Sequence, residues 1–192
     1  MRKEDVDVGV FDTSKFPPVL QDIAGLISLK FFEETPFTID FPSQTLLIGG
    51  NSYEQGERQQ SLQVPLELAR DGPSNSAFIE LELPSGDRAR VEVDTGSDTL
   101  ILNTRYMGAL GIRSEEARQV RGNDETGRDY IRYFSRIRGE VSLPGQERFA
   151  QADPEVIFQD IINDGLVRVS FLKRFAVTFD TPNSRMIFFA KP

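Results

Sequence analysis

The sequence predicts a mainly β fold with short helices, and three observations carry that expectation. Apolar and polar residues alternate through several short runs, turn residues separate those runs, and two stretches repeat one another at a fixed offset. With 192 residues, 39% of them hydrophobic and 15 of them Phe, the chain is long enough to bury a core.

The repeat comes first along the chain. Placing Gly25 over Gly165, an offset of 140, sets Phe31 over Phe171, Thr38 over Thr178, Asp40 over Asp180 and Pro42 over Pro182. Leu46-Leu47-Ile48 then meets Met186-Ile187-Phe188. Each copy reads as a short apolar strand, one helical turn around the paired Phe, a strand ending in Asp-x-Pro, a turn, and a last apolar strand. Asp94 precedes Gly165 by 71 residues, so the matching position of the first copy would lie upstream of Met1. Residues 1–48 are therefore expected to be the C-terminal half of an upstream unit, and 60–192 a complete unit. The polar, Gly-containing stretch 49–59 reads as the linker between them, and the chain as a piece of a longer tandem protein.

The complete unit opens with Leu62–Leu68, which alternates as a strand does. A turn over 71–75 leads to a second alternating run, Phe78–Leu83, and Pro84-Ser85-Gly86-Asp87 makes a hairpin into Ala89–Val93. Short helices are expected over Thr104–Leu110 and Ser114–Val120. Tyr130–Ile137 and Glu140–Leu143 return to strand around Gly139.

Composition narrows the chemistry. A net charge of −8 argues against a nucleic-acid partner, since neutralising phosphates takes a surplus of Lys and Arg. With no Cys and no His, thiol nucleophiles, His relays, disulfides and Cys/His zinc sites are all excluded. Hydrolysis is left with carboxylates, or with a metal on oxygen ligands. No metal constellation or cofactor motif stands out. No apolar run reaches the roughly 18 residues of a membrane span. The opening Met1–Asp7 lacks the apolar stretch of a signal peptide, and the compartment stays open. Export or a periplasmic location would follow if an upstream signal had been removed.

One motif carries chemistry. Asp94-Thr95-Gly96-Ser97 lies between the apolar runs Val91–Val93 and Thr99–Leu102. A carboxylate at a strand end can be held by a tight Thr-Gly turn, with Gly96 admitting close backbone approach. Ser97 is placed to donate to the outer oxygen of Asp94. Two such carboxylates side by side cannot both ionise, so they share a proton and can activate one water between them. The chain holds a single copy of the motif.

The run Val91–Asn103 (VEVDTGSDTLILN) resembles the active-site segment of retropepsin-like aspartic peptidases. Asp164–Phe189 resembles the closing segment of their bacterial members, and residues 22–48 look like a second copy of it. The resemblance implies a retropepsin/pepsin-like acid-protease β-barrel, active only as a pair of units. It makes Asp94 the catalytic carboxylate and Thr95, Gly96 and Ser97 its cradle. It also implies a flap, best matched by Val120–Asp129 with its tip at Gly122, Asn123, Asp124, Glu125, Thr126 and Gly127. A solvated polar loop is the plain alternative for that stretch.

One departure stands out. Family members commonly carry Gly two residues after the position of Leu166, where this chain has Arg168 and the first repeat has Ser28. Arg168 must swing out to solvent or set a cation beside Asp94, and the second arrangement opposes a shared proton. Other candidates are blander. Asp98 reads as a surface charge, Asp12-Thr13-Ser14 lacks the Gly, and Asp40, Asp160, Asp164 and Asp180 sit at turns. Arg132, Arg136 and Arg138 read as solvated strand residues.

The expected function is an aspartic endopeptidase, in which Asp94 and a second Asp activate water against a peptide or protein substrate. The second Asp would come from the missing upstream half or from a second copy of the chain. The alternatives are a catalytically silent peptide-binding or dimerisation module of the same fold, and a structural β domain with a chance motif.

Overall fold

The computed structural model describes residues 27–49, 61–72, 74–123 and 129–190, and it is mainly β. Two sheets make up the described fold. The smaller is built from the repeated segments. Strands β1 (Phe37–Asp40) and β2 (Thr45–Ile48) belong to the first copy, and β14 (Phe175–Asp180) and β15 (Arg185–Ala190) to the second. With β3 (Ser61–Pro65) they run in the order β2-β1-β14-β15-β3.

The register of this sheet has a local two-fold axis. β1 pairs antiparallel with β14, Phe37 opposite Phe179, Thr38 opposite Thr178 and Ile39 opposite Val177. Adding 140 to one member and subtracting it from the other returns the same set of pairs, so the axis passes between Thr38 and Thr178. The hairpins obey the same offset. Ile39 faces Leu46 in the first copy, and Phe179 faces Met186 in the second. The helical turns do too, with a 3-10 turn at Leu29–Phe32 matching helix α1 at Val169–Leu172. At the axis the two threonine hydroxyls share a buried 2.6 Å hydrogen bond, and Phe37 stacks on Phe179 at 4.7 Å.

The larger sheet holds β4 (Glu67–Asp71), β5 (Ser74–Glu82), β6 (Arg88–Val93), β7 (Leu100–Asn103), β8 (Arg118–Asn123), β9 (Asp129–Arg136), β10 (Glu140–Leu143), β11 (Gln146–Ala152), β12 (Glu155–Gln159) and β13 (Gly165–Val167). Its order is β11-β10-β5-β6-β13-β7-β12-β9-β8, with β4 on β5. Alternation explains the core. Ala89 and Val91 of β6, Leu100 and Leu102 of β7, and Val156 and Phe158 of β12 point inward, in one cluster with Phe171 and Leu172 of helix α1 (Val169–Leu172) and Phe188 of the smaller sheet.

Local sequence and structure part ways in two places. The expected strand 62–68 is two strands. The ladder breaks at buried Leu66, whose N–H donates to Ser184 O at 2.9 Å, and the chain passes from the small sheet to the large one. The expected helix 114–120 is also absent. After a turn the chain enters β8, where Gln119 and Val120 face Tyr133 and Arg132. Sheet pairing here overrides a weak helical propensity. Over Thr104–Leu110 only a 3-10 turn forms, at Thr104–Tyr106, its first N–H groups capped through Asn103 Oδ1 accepting from Arg105 N at 3.0 Å. Residues 50–60, which include nearly all of the expected linker, lie outside the described residues.

Candidate active site

Asp94 follows β6 directly, where β13 squeezes between β6 and β7. β13 runs parallel to β6, with Val167 opposite Val93, and antiparallel to β7, with Leu166 opposite Ile101. That fit requires Gly165, because a Cβ there would collide with the Ile101 carbonyl oxygen and lie 2.9 Å from Leu102 Cδ2. The short strand then clamps the site loop from behind. Asp94 N–H donates to Val167 O at 2.9 Å, while Val169 N–H and Ser170 N–H donate to the carbonyls of Ser97 and Asp98 at 3.2 and 2.9 Å.

The carboxylate of Asp94 is held at both oxygens. Oδ1 accepts the Gly96 N–H at 2.8 Å, the contact expected of a tight Thr-Gly turn. Oδ2 lies 2.9 Å from Arg168 Nη2, the Arg168 side chain being 17% exposed and that of Asp94 30%. Arg168 therefore turns inward, and of its two expected orientations this is the one that sets a cation on Asp94. Ser97 departs from expectation: its Oγ is buried and has no hydrogen-bond partner among the described residues. The guanidinium occupies the oxygen that Ser97 was expected to serve. Arg168 Nε and Ser170 Oγ are likewise buried without a partner among those residues.

Thr95 and Gly96 are exposed, and Thr95 sits at the rim of a cavity of about 340 Å³. One wall of the cavity is apolar, from Ile27, Leu29, Phe32, Phe37, Ile39 and Leu46 of the first repeat. The other comes from Ala77, Val93 and neighbouring residues of β5 and β6.

The other expected site residues lie apart from Asp94 in sequence and element. Gly122 and Asn123 end β8, which pairs with β9 as a hairpin, and Asn123 Nδ2 donates to Asp129 Oδ1 at 2.5 Å. Gly122 faces the Tyr130 ring so closely that a Cβ would lie 2.6 Å from its hydroxyl. Asp124, Glu125, Thr126 and Gly127 lie outside the described residues. Asp98 is a surface charge 3.9 Å from Lys173 Nζ. Arg132 donates to Gln159 at 2.8 Å and Arg136 to Glu155 at 3.0 Å. Among the described residues no group of His, Cys, Asp and Glu could hold a metal. No described helix is long and apolar enough to cross a membrane.

Sequence reasoning undervalued Asp164, read as a turn residue. Its Oδ2 accepts Arg90 N–H at 3.0 Å and its Oδ1 accepts from Arg105 Nη2 at 2.5 Å. It thus ties the start of β6, the turn after β7 and the loop before β13, the three pieces that set the Asp94 loop. Its place directly before Gly165 is the only local signal, and the partners come from distant sequence.

No protein-family model matches the chain, and no curated protein matches it. Among solved structures the chain is similar to a retropepsin-like aspartic protease from Rickettsia conorii, with a TM-score of 0.49 and 15% identity over 67% of this chain and 89% of that one. It is also similar to Basic 7S globulin from soybean, with a TM-score of 0.46 and 13% identity over 81% of this chain and 50% of that one.

Proposed function

We propose that Asp94 is one carboxylate of a two-carboxylate site that hydrolyses peptide bonds, the second carboxylate coming from a partner unit. The observation that carries this reading is the presentation of Asp94. It stands at a strand end, Oδ1 fixed by the Gly96 N–H at 2.8 Å, with Gly96 and Thr95 open to an incoming chain. In such a site one carboxylate takes a proton from a water as its oxygen adds to the scissile carbonyl carbon, and the other gives its proton to the carbonyl oxygen. The C–N bond then breaks as the amine is protonated. Thr95, Gly96 and Ser97 would shape the loop, and the β8–β9 hairpin would serve as the flap, with its tip at residues 122–127. The substrate would be a peptide or protein.

A second reading is favoured by the 2.9 Å contact between Arg168 and Asp94 Oδ2. A guanidinium on that oxygen supplies the positive charge that a shared proton would supply. A site so neutralised binds a peptide or a partner unit without turning it over.

Cleavage of an unbiased peptide mixture from pH 3 to 7 separates the two. The peptidase reading expects cleavage by the parent chain with its partner unit and none by Asp94→Ala. If Arg168→Gly cleaves and the parent does not, the second reading holds for the natural chain. Cleavage retained in Asp94→Ala would sink the assignment of Asp94.

A further inference from the structure

Strand β8 ends the large sheet and pairs only with β9 among the described residues, so its other edge is open. Arg118, Gln119, Val120 and Arg121 are all exposed. The open edge presents alternate backbone N–H and C=O groups to an extended chain. The charge of this hairpin runs against that of the molecule. Residues 118–136 carry five arginines and three acids, whereas the whole chain has 22 basic and 30 acidic residues. Arg118, Arg121 and Arg132 form no ion pair among the described residues.

Cross-strand register groups these side chains. Arg118 stands opposite Phe134, Val120 opposite Arg132, and Gly122 opposite Tyr130, so all six positions share one face of the hairpin. The Arg118 guanidinium lies 3.9 Å above the centre of the Phe134 ring, and that of Arg132 lies 4.5 Å above the Tyr130 ring. Arg132 is fixed further by donating from Nε to Gln159 Oε1 at 2.8 Å. A guanidinium held over a ring keeps N–H groups along its edge for a carboxylate, and it is ordered before one arrives. Arg121, opposite Ile131, serves the other face.

From this we infer that the arms of the β8–β9 hairpin dock an acidic, extended peptide segment of another protein along the edge of β8. Arg132 stands two residues along the ladder from Arg118. Acidic side chains two apart on an extended chain repeat at the same interval, about 7 Å. One carboxylate meets Arg118 and the next meets Arg132 across Val120, while an acid at an intervening position meets Arg121. Charge of one sign also selects the occupant. A second copy of β8 would set arginine against arginine, whereas an acidic strand is attracted. A nucleic acid has no peptide N–H and C=O groups to pair with the edge. The surface lies on the arms, away from the tip at residues 122–127, and it goes beyond the proposed function without depending on it.

The test adds a synthetic peptide of about eight residues, alternating Glu and Thr, to the full chain and follows amide hydrogen exchange. Exchange across Arg118–Asn123 is expected to slow by about fivefold or more at saturating peptide. The same peptide with Gln in place of Glu is expected to bind about tenfold more weakly, and raised salt to weaken the Glu peptide alone. Arg118→Gln with Arg132→Gln is expected to cost about tenfold in affinity, partly restored by Lys at both positions. Should that double variant not fold, Arg118→Gln alone, at an exposed position, is expected to cost about threefold. Equal binding of the Glu and Gln peptides, unchanged affinity in the folded variant, or no slowing at β8 would each overturn the inference. So would equal protection of β8 by oligothymidylate, since the surface would then read charge alone. Protection of β8 is expected to persist in Asp94→Ala, and its loss there would place the peptide at the Asp94 loop and overturn the separate surface. Protection with no peptide cleavage by the parent would support the surface and count against hydrolysis alone.

Discussion

At the scale of single residues, Asp94 is held by a backbone N–H on one oxygen and a cation on the other. The first contact is local, so it follows from Asp-Thr-Gly read as a turn. The second joins residues 74 positions apart in sequence, and only the chain path of β13 beside β6 settles which way Arg168 points. Replacing Arg168 with Met removes a partly exposed ion pair. It is expected to lower stability by about 1 kcal/mol in urea unfolding, since solvent screens part of its strength. In a two-unit assembly Arg168→Gly is expected to raise peptide cleavage by about tenfold, the equivalent of about 1.4 kcal/mol of ion pairing removed from the carboxylate. Progress curves on the peptide mixture measure it, and an unchanged rate would show that Arg168 does not restrain the site. Ser97 was legible as part of the loop but not in its role, because the guanidinium takes its expected acceptor.

At the scale of elements, one contact joins the two copies of the repeat and another lets β13 close behind the Asp94 loop. The Thr38–Thr178 hydrogen bond sits on the local axis at 2.6 Å. Thr38→Val leaves a buried hydroxyl unpaired and should cost about 1–2 kcal/mol. Thr38→Val with Thr178→Val should cost less than the sum of the two single changes, because both polar groups then leave together. A double-mutant cycle in urea reads that difference. Gly165→Ala drives a methyl into the β7 backbone and should cost about 3 kcal/mol, with loss of ordered structure around Asp94 visible by amide exchange. On the outer face Arg90 donates to both oxygens of Glu67, at 2.7 and 2.6 Å, and holds its carboxyl below the ordinary value. A depressed acid contributes stability that is present above its ordinary value and is lost as pH falls through the lowered one. The gap in thermal stability between the parent and Arg90→Gln should therefore be present at neutral pH and shrink below about pH 4. Element types were legible where alternation was long, as in β5, β6 and β9. They were misread at 114–120, where the deciding contact is the ladder to β9.

For the whole molecule, the same apolar pattern is buried in one copy of the repeat and exposed in the other. Leu46→Asp should change the stability of the chain by no more than about 0.5 kcal/mol, while Met186→Asp, its mate, should cost more than about 4 kcal/mol or prevent folding. Equal effects at the two positions would mean that the first copy is as fully packed as the second. The sequence by itself determined a mainly β chain, a repeat at an offset of 140, and a carboxylate on a tight turn. Each of these is written in local pattern or in self-similarity, which needs no partner to be read. Only the tertiary structure decided that the two copies pair about Thr38 and Thr178, that Arg168 closes on Asp94, and that Asp164 ties three pieces of backbone behind the loop. Those contacts join residues far apart along the chain, and their geometry depends on how the two sheets pack, which no local pattern encodes.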